Sequence, residues 1–208
     1  MKNRKKATLV CSAALVGVIG IGATLAYFTD SDEATNVVTM GHVDISLNEG
    51  YDESEGKGAD EIIGGEGMVF DNIMPGDTLS KIPKIVVEPD SQDAYVRMKM
   101  DIETDADSDI TEADINELES RLSNQITEGT GWAYDGEYYY YNKSLSAGEE
   151  AEFFRTVTIP ETWKNNTTDD TFRIKLQAEA IQAENITPEW TENGNIMGWP
   201  EAEIEKYN

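Results

Sequence analysis

A two-residue rhythm constrains this chain more than any other feature. Between Ala94 and Ile102, the apolar residues Val96, Met98, Met100 and Ile102 alternate with Tyr95, Arg97, Lys99 and Asp101. Successive side chains of a strand point to opposite faces, so the pattern predicts a half-buried strand with one apolar face. The rhythm recurs at both ends of the chain. Val43, Ile45 and Leu47 alternate with His42, Asp44 and Ser46; Phe172, Ile174, Leu176, Ala178 and Ala180 alternate with Arg173, Lys175, Gln177 and Glu179. Ile82 to Val87 reads as a further strand, where Pro83 requires an edge position or a place among the first residues. Ala151, Phe153, Val157 and Ile159 read as one strand that Pro160 stops.

Turn chemistry separates these runs. Met74-Pro75-Gly76-Asp77 predicts a turn, because Pro presets one dihedral and Gly permits a positive one. Asp135-Gly136 between Trp132–Tyr134 and Glu137–Tyr141 predicts a hairpin with a two-residue type I′ turn. Glu49 to Gly67, rich in Gly and acids, predicts an exposed loop. One helix interrupts the strands: Thr111 is a good N-cap, Glu112 and Asp114 put negative charge in the first turn, and Ile115, Leu118 and Leu122 form one apolar stripe. Met197 to Lys206 is a candidate second short helix. The expected fold class is all-β, an antiparallel jelly-roll-like sandwich with one or two short covering helices.

Residues 1–26 follow different rules. Lys2, Arg4, Lys5 and Lys6 precede an uncharged stretch, Ala7 to Ala26, that ends in Thr24-Leu25-Ala26. The order basic, apolar, small is that of a secretory signal peptide, with cleavage expected between Ala26 and Tyr27. An uncleaved membrane anchor is the alternative reading. Cys11 lies inside the apolar stretch, where it serves as a small filler. The expected organisation is thus a signal peptide over 1–26 and one domain over 27–208, with no membrane contact after cleavage.

Charge narrows the partners. The 208 residues include 41 acids, 16 bases, one His and one Cys. Cleavage after Ala26 removes four bases and no acid, so the formal charge moves from −25 to −29 and no cysteine remains. Phosphate neutralisation needs clustered Lys and Arg, so nucleic acid is excluded as an electrostatic partner. An exported chain without disulfides suits a Gram-positive bacterium, and about 180 residues suffice to bury a sizeable core.

Catalytic signatures are sparse. The lone His42 sits on the polar side of its strand, and no Gly-x-Ser-x-Gly elbow occurs. No catalytic or cofactor-binding residue is therefore expected. The metal candidates are Asp105, Asp107 and Asp109, which imitate the start of a calcium loop. The match then breaks, because Ile110 stands where Gly is needed and Asn116 where a bidentate Glu is needed. Weak Ca²⁺ binding remains an expectation of charge alone. In Tyr138-Tyr139-Tyr140-Tyr141, alternation puts one pair in the core and leaves the other exposed, a sugar platform being the alternative to packing.

The segment Ala23-Thr24-Leu25-Ala26-Tyr27-Phe28-Thr29-Asp30 resembles the signal-peptide junction of the TasA/camelysin family. Gly41-His42-Val43-Asp44-Ile45-Ser46-Leu47 resembles that family's first mature strand. Met74-Pro75-Gly76-Asp77-Thr78-Leu79 resembles its Pro-Gly-Asp turn, and Phe172 to Glu179, near Ala178-Glu179-Ala180-Ile181-Gln182, resembles its closing strand. The resemblance implies a secreted jelly-roll subunit, processed by a SipW-type signal peptidase, that assembles into extracellular fibres of a biofilm matrix at the cell surface. It implies self-association, together with other matrix or surface proteins, through an N-terminal segment that adds as a strand to the next subunit. Here that donor is residues 27–39, with Val37, Val38 and Met40 as apolar assembly residues. The family's camelysin branch implies the alternative, a cell-surface metalloendopeptidase. With one His and no mature Cys the ligands would be mostly carboxylates, unusual for catalytic zinc. The expectation is a structural protein rather than an enzyme.

Overall fold

A computed structural model of the chain describes residues 29–32, 43–63, 67–163, 170–184 and 186–199. Strands dominate, all pairing antiparallel, with one α-helix among the described residues. The chain is thus an all-β fold with one short helix. A five-stranded sheet holds, in spatial order, β1 (Thr29–Asp32), β12 (Phe172–Gln182), β7 (Ala94–Thr104), β9 (Tyr139–Tyr141) and β8 (Trp132–Tyr134). A three-stranded sheet holds β10 (Glu150–Glu152), β6 (Ile82–Val87) and β2 (Ile45–Gly50). Three pairs complete the set: β5 (Thr78–Ser80) with β11 (Thr156–Thr158), β3 (Glu61–Ile63) with β4 (Gly67–Val69), and β13 (Glu189–Trp190) with β14 (Ile196–Gly198).

The alternation places the core where the sequence reading puts it. Val96 and Met98 of β7, Ala178 and Ala180 of β12, and Ile85 and Val87 of β6 are fully enclosed, and they belong to one cluster with Val43 and Ile45. The five-stranded and three-stranded sheets therefore share a core. Phe153 lies at its centre, edge-on to Trp132 and Tyr139 at 5.1 Å each. Trp132 Nε1 donates to the Glu152 carbonyl at 2.7 Å, tying one sheet to the other.

The helix α1 (Glu112–Thr127) links β7 to β8 and buries Leu118, Leu122 and Ile126. Its N-terminus is a full capping box: the Thr111 hydroxyl accepts from the Asp114 N–H, and the Thr111 N–H donates back to Asp114 Oδ2 at 2.9 Å. This satisfies two donors that a helix start leaves open. Further along, Gln125 acts as a surrogate strand for β11. Its Oε1 accepts from the Arg155 and Thr156 N–H groups at 2.8 and 3.2 Å, and its Nε2 donates to the Thr156 carbonyl at 3.0 Å.

Several expectations change. The 49–67 stretch is not one loop, because Glu49–Gly50 end β2 and the β3–β4 hairpin occupies its second half. Ala151 to Ile159 is not one strand. β10 and β11 lie in different sheets, and Phe153 and Phe154 are both buried, so alternation breaks at the bend between them. For Pro83 the second of the two expected placements holds: β6 is a central strand, Pro83 is its second residue, and the pairing with β10 covers only Lys84–Val86. The β8–β9 turn has four residues, 135–138, rather than two. The Asp135 N–H donates to the Tyr138 carbonyl at 3.1 Å, and the Asp135 carboxylate accepts from the Glu137 and Tyr138 N–H groups at 2.7 Å each, with Gly136 at φ 110°. The expected second helix fails at its start, since Met197 and Gly198 belong to β14, while 200–206 lie outside the described residues. The Pro-Gly turn holds: the Asp77 N–H donates to the Met74 carbonyl at 3.0 Å, and Gly76 has φ 91°.

Removing the central ring tests this core. Phe153→Ala is expected to lower the unfolding free energy by about 3–5 kcal/mol, measured by urea denaturation followed by circular dichroism.

Candidate functional site

The longest ladder in the molecule ends in an uneven edge. β12 pairs with β7 along all of Phe172–Gln182. On its other side only Ala178–Ile181 are matched, by Thr29–Asp32 of β1. Among the described residues, no strand faces that side of Phe172–Gln177. An unpaired edge exposes backbone donors and acceptors that another strand can satisfy. Burial follows the pairing. On the inward row Ala178 and Ala180 are fully enclosed, whereas Phe172, Ile174 and Leu176 are only half-buried against the core. The outward row of the open stretch is basic. Arg173 bonds to Asp105 at 2.8 Å and Lys175 to Glu103 at 2.7 Å, both well exposed.

The outer face of the same sheet is covered at its other end. Arg97 of β7 stands opposite Glu179 of β12, and its guanidinium donates to the Glu179 carboxylate from Nε at 2.7 Å and from Nη2 at 2.5 Å. Its Nη1 donates to the Tyr140 hydroxyl at 3.2 Å. The cation lies 3.8 Å from the Tyr138 ring centre and 4.5 Å from that of Trp199. Burial works against the charge, but Glu179 and Tyr140 outweigh it and hold Arg97 above its ordinary pKa. The β13–β14 hairpin thus closes a second, smaller core of Tyr140, Ile181, Ile196 and Trp199. Asn142 fastens it: its Nδ2 donates to Asn195 Oδ1 at 3.1 Å, and its Oδ1 accepts from the Ile196 N–H at 2.8 Å.

This cover corrects the expectation for the tyrosine run. The alternation is right, but neither pair is left exposed: Tyr139 and Tyr140 are both buried, and Tyr138 and Tyr141 are half-buried. A flat sugar platform is therefore absent from these four rings. The sequence did not reveal the cover, because β13 and β14 are too short to show a period of two.

The remaining candidates scatter. Ala26, Tyr27, Val37, Val38, Met40 and His42 lie outside the described residues. Asp105 is engaged by Arg173, and the Asp109 N–H donates to Asp170 Oδ2 at 2.7 Å. Asp105, Asp107 and Asp109 occupy the exposed loop before α1, and no group of three or more potential metal ligands converges among the described residues. No helix among them is long and apolar enough to cross a membrane. No family model matches this chain, and no curated protein or solved structure matches it significantly.

Two outcomes test this geometry. Arg97→Met leaves Glu179 buried without its cation, so the β13–β14 hairpin should loosen; limited proteolysis is expected to cut between 189 and 199 at least several-fold faster than in the parent chain. Burial pushes the Tyr139 phenol up to about 12 from 10.0, against a smaller opposing hydrogen bond from Ser123. A pKa raised on folding gives stability that is complete below the unfolded value and fades as pH rises through the folded one. Stability should therefore fall between pH 10.0 and about 12, and Tyr139→Phe should flatten that fall in denaturation curves recorded at each pH.

Proposed function

We propose that this chain is a secreted structural subunit of extracellular surface or biofilm-matrix fibres, and not an enzyme. On this reading, residues 27–39 add as a strand to the open β12 edge of the neighbouring subunit. One observation supports it above others: the N-terminal segment already forms an edge strand, β1, against β12 of its own chain. Exchange of such an element between identical subunits keeps the same main-chain hydrogen bonds and has a low cost. The edge also has room, since Phe172–Gln177 find no strand partner on that side among the described residues.

Chemistry on both sides fits the pairing. An added strand would cover the half-buried Phe172, Ile174 and Leu176. Val37 and Val38 in the donor segment, with Met40 just beyond it, supply apolar side chains for that purpose. Residues 27–39 contain Asp30, Asp32 and Glu33 and no base, whereas the open stretch presents Arg173 and Lys175 outward. The donor must be free at its N-terminus, which is the role of cleavage between Ala26 and Tyr27 by a SipW-type signal peptidase. Export and assembly outside the cell follow from the same step.

Deleting residues 27–39 from the mature protein should abolish fibres in negative-stain electron microscopy while circular dichroism still reports a folded sheet. In the parent chain, salt or divalent cations, by screening the formal −29 charge of residues 27–208, and acid, by neutralising part of it, should speed fibre growth. Fibres that persist after the deletion, or that grow fastest at low ionic strength and neutral pH, would overturn the reading.

A further inference from the structure

Lys81 and Glu49 form the most enclosed ion pair of the described residues. Their side chains are 8% and 15% exposed. The sheet register explains why they meet. Glu49 stands opposite Pro83 in the β2–β6 ladder, and Lys81 lies two residues before Pro83 on the same inward row. Such diagonal neighbours lie within reach of long side chains. The backbone on both sides is held: the Lys81 N–H donates to the Arg155 carbonyl at 3.0 Å, and the neighbouring Ser80 Oγ accepts from the Asp52 N–H at 2.8 Å. The β3–β4 hairpin closes over the carboxylate, since a Cβ on Gly67 would sit 3.3 Å from Glu49 Oε2.

The pair is poorly satisfied for its burial. An ammonium has three donors and a carboxylate two acceptor oxygens. Here Lys81 Nζ donates to Glu49 Oε1, while Glu49 Oε2 is buried with no hydrogen-bond partner among the described residues. Buried charges are expensive unless fully paired, and a pair left this incomplete gains from losing its charge. Burial accordingly lowers the Lys81 pKa, with Glu49 acting in the opposite direction.

We propose that Lys81 and Glu49 condense into an intramolecular amide cross-link between β2 and the start of β6. Moving one proton from Nζ to the carboxylate gives an amine and a carboxylic acid with no net charge. The Nζ lone pair attacks Glu49 Cδ and the Nζ–Cδ bond forms. The Cδ–Oε2 bond breaks, its electron pair stays on oxygen, and one Nζ proton joins the departing hydroxyl. One water leaves, and no oxidant, reductant or co-reactant is consumed. Fixed proximity supplies the driving geometry, with effective molarities in such intramolecular reactions on the order of 10⁵ M or more. The product keeps one N–H and one C=O in place of two charges. It would give this chain, whose residues 27–208 contain no cysteine, a covalent staple that a disulfide supplies elsewhere. This proposal stands independently of the fibre reading.

The test is the intact mass of the purified mature chain under denaturing conditions. The expected value is one water lighter than the sequence mass, with a branched peptide joining Glu49 to Lys81 in the digest. Glu49→Gln should reach the same final mass as the parent, because amide condensation then expels ammonia. Lys81→Arg should show its full sequence mass and a lower melting temperature. A parent chain at full sequence mass after prolonged folded incubation overturns the proposal. So does a lost water that maps elsewhere, such as a cyclic imide at Asp135-Gly136.

Discussion

The fold depends on the antiparallel ladder between β7 and β12, eleven residues matched from Phe172 opposite Thr104 to Gln182 opposite Ala94. Its inward row is apolar, and Val96 and Met98 beside Ala180 and Ala178 are fully enclosed in the core that the three-stranded sheet shares. Its outward row is charged and cross-matched, with Arg97 opposite Glu179 and Lys175 opposite Asp101. Everything else is placed by this ribbon. The helix leaves from the end of β7, β9 pairs with its middle, and β1 attaches to its free side.

What the sequence could disclose depended on element length. β7 and β12 are long enough for several alternations, so their faces were legible, as were the N-cap at Thr111 and the turn at Pro75-Gly76. Short elements were legible only where a turn signal marked them, as Asp135-Gly136 did for β8 and β9. Three residues cannot establish a period, so β3, β4, β13 and β14 escaped notice, and β10 and β11 fused into one expected strand. The error at Phe153-Phe154 has a physical origin. A chain that crosses between two sheets can bury consecutive residues, which a pattern confined to one strand forbids. The Arg97 cluster was invisible for a related reason: Tyr138, Glu179 and Trp199 meet Arg97 from distant parts of the chain, and no local spacing encodes that. The pair Lys81–Glu49 likewise looks like two ordinary surface charges until the register brings them inward.

The candidate sites differ in the same way. The calcium-like run Asp105-Ala106-Asp107-Ser108-Asp109 was conspicuous in sequence, yet the structure spends Asp105 on Arg173 and the loop on leading into α1. The β12 edge was inconspicuous, because a strand that is half covered reads no differently from one that is fully covered. Only the pairing of β1 with Ala178–Ile181 reveals how much of the edge is left.

Charge then sets the terms on which such an edge can be used. Nine of the ten described bases are already in ion pairs, and the tenth, Lys143, lies over the Tyr141 ring at 5.8 Å. The positive side chains are thus consumed internally, and the field felt by a second subunit is that of the surplus carboxylates. Exposed ion pairs contribute little to stability one by one, so their main effect here is on where the remaining charge lies. Arg173 and Lys175 are the exception in placement: both sit on the outward row beside the open edge. On the proposed reading, an acidic partner strand would meet these two ion-paired bases first, and so less repulsion than at the unpaired carboxylates. The acidic composition would then also steer a like-charged subunit, since main-chain hydrogen bonds at the open edge of β12 are what could overcome the repulsion.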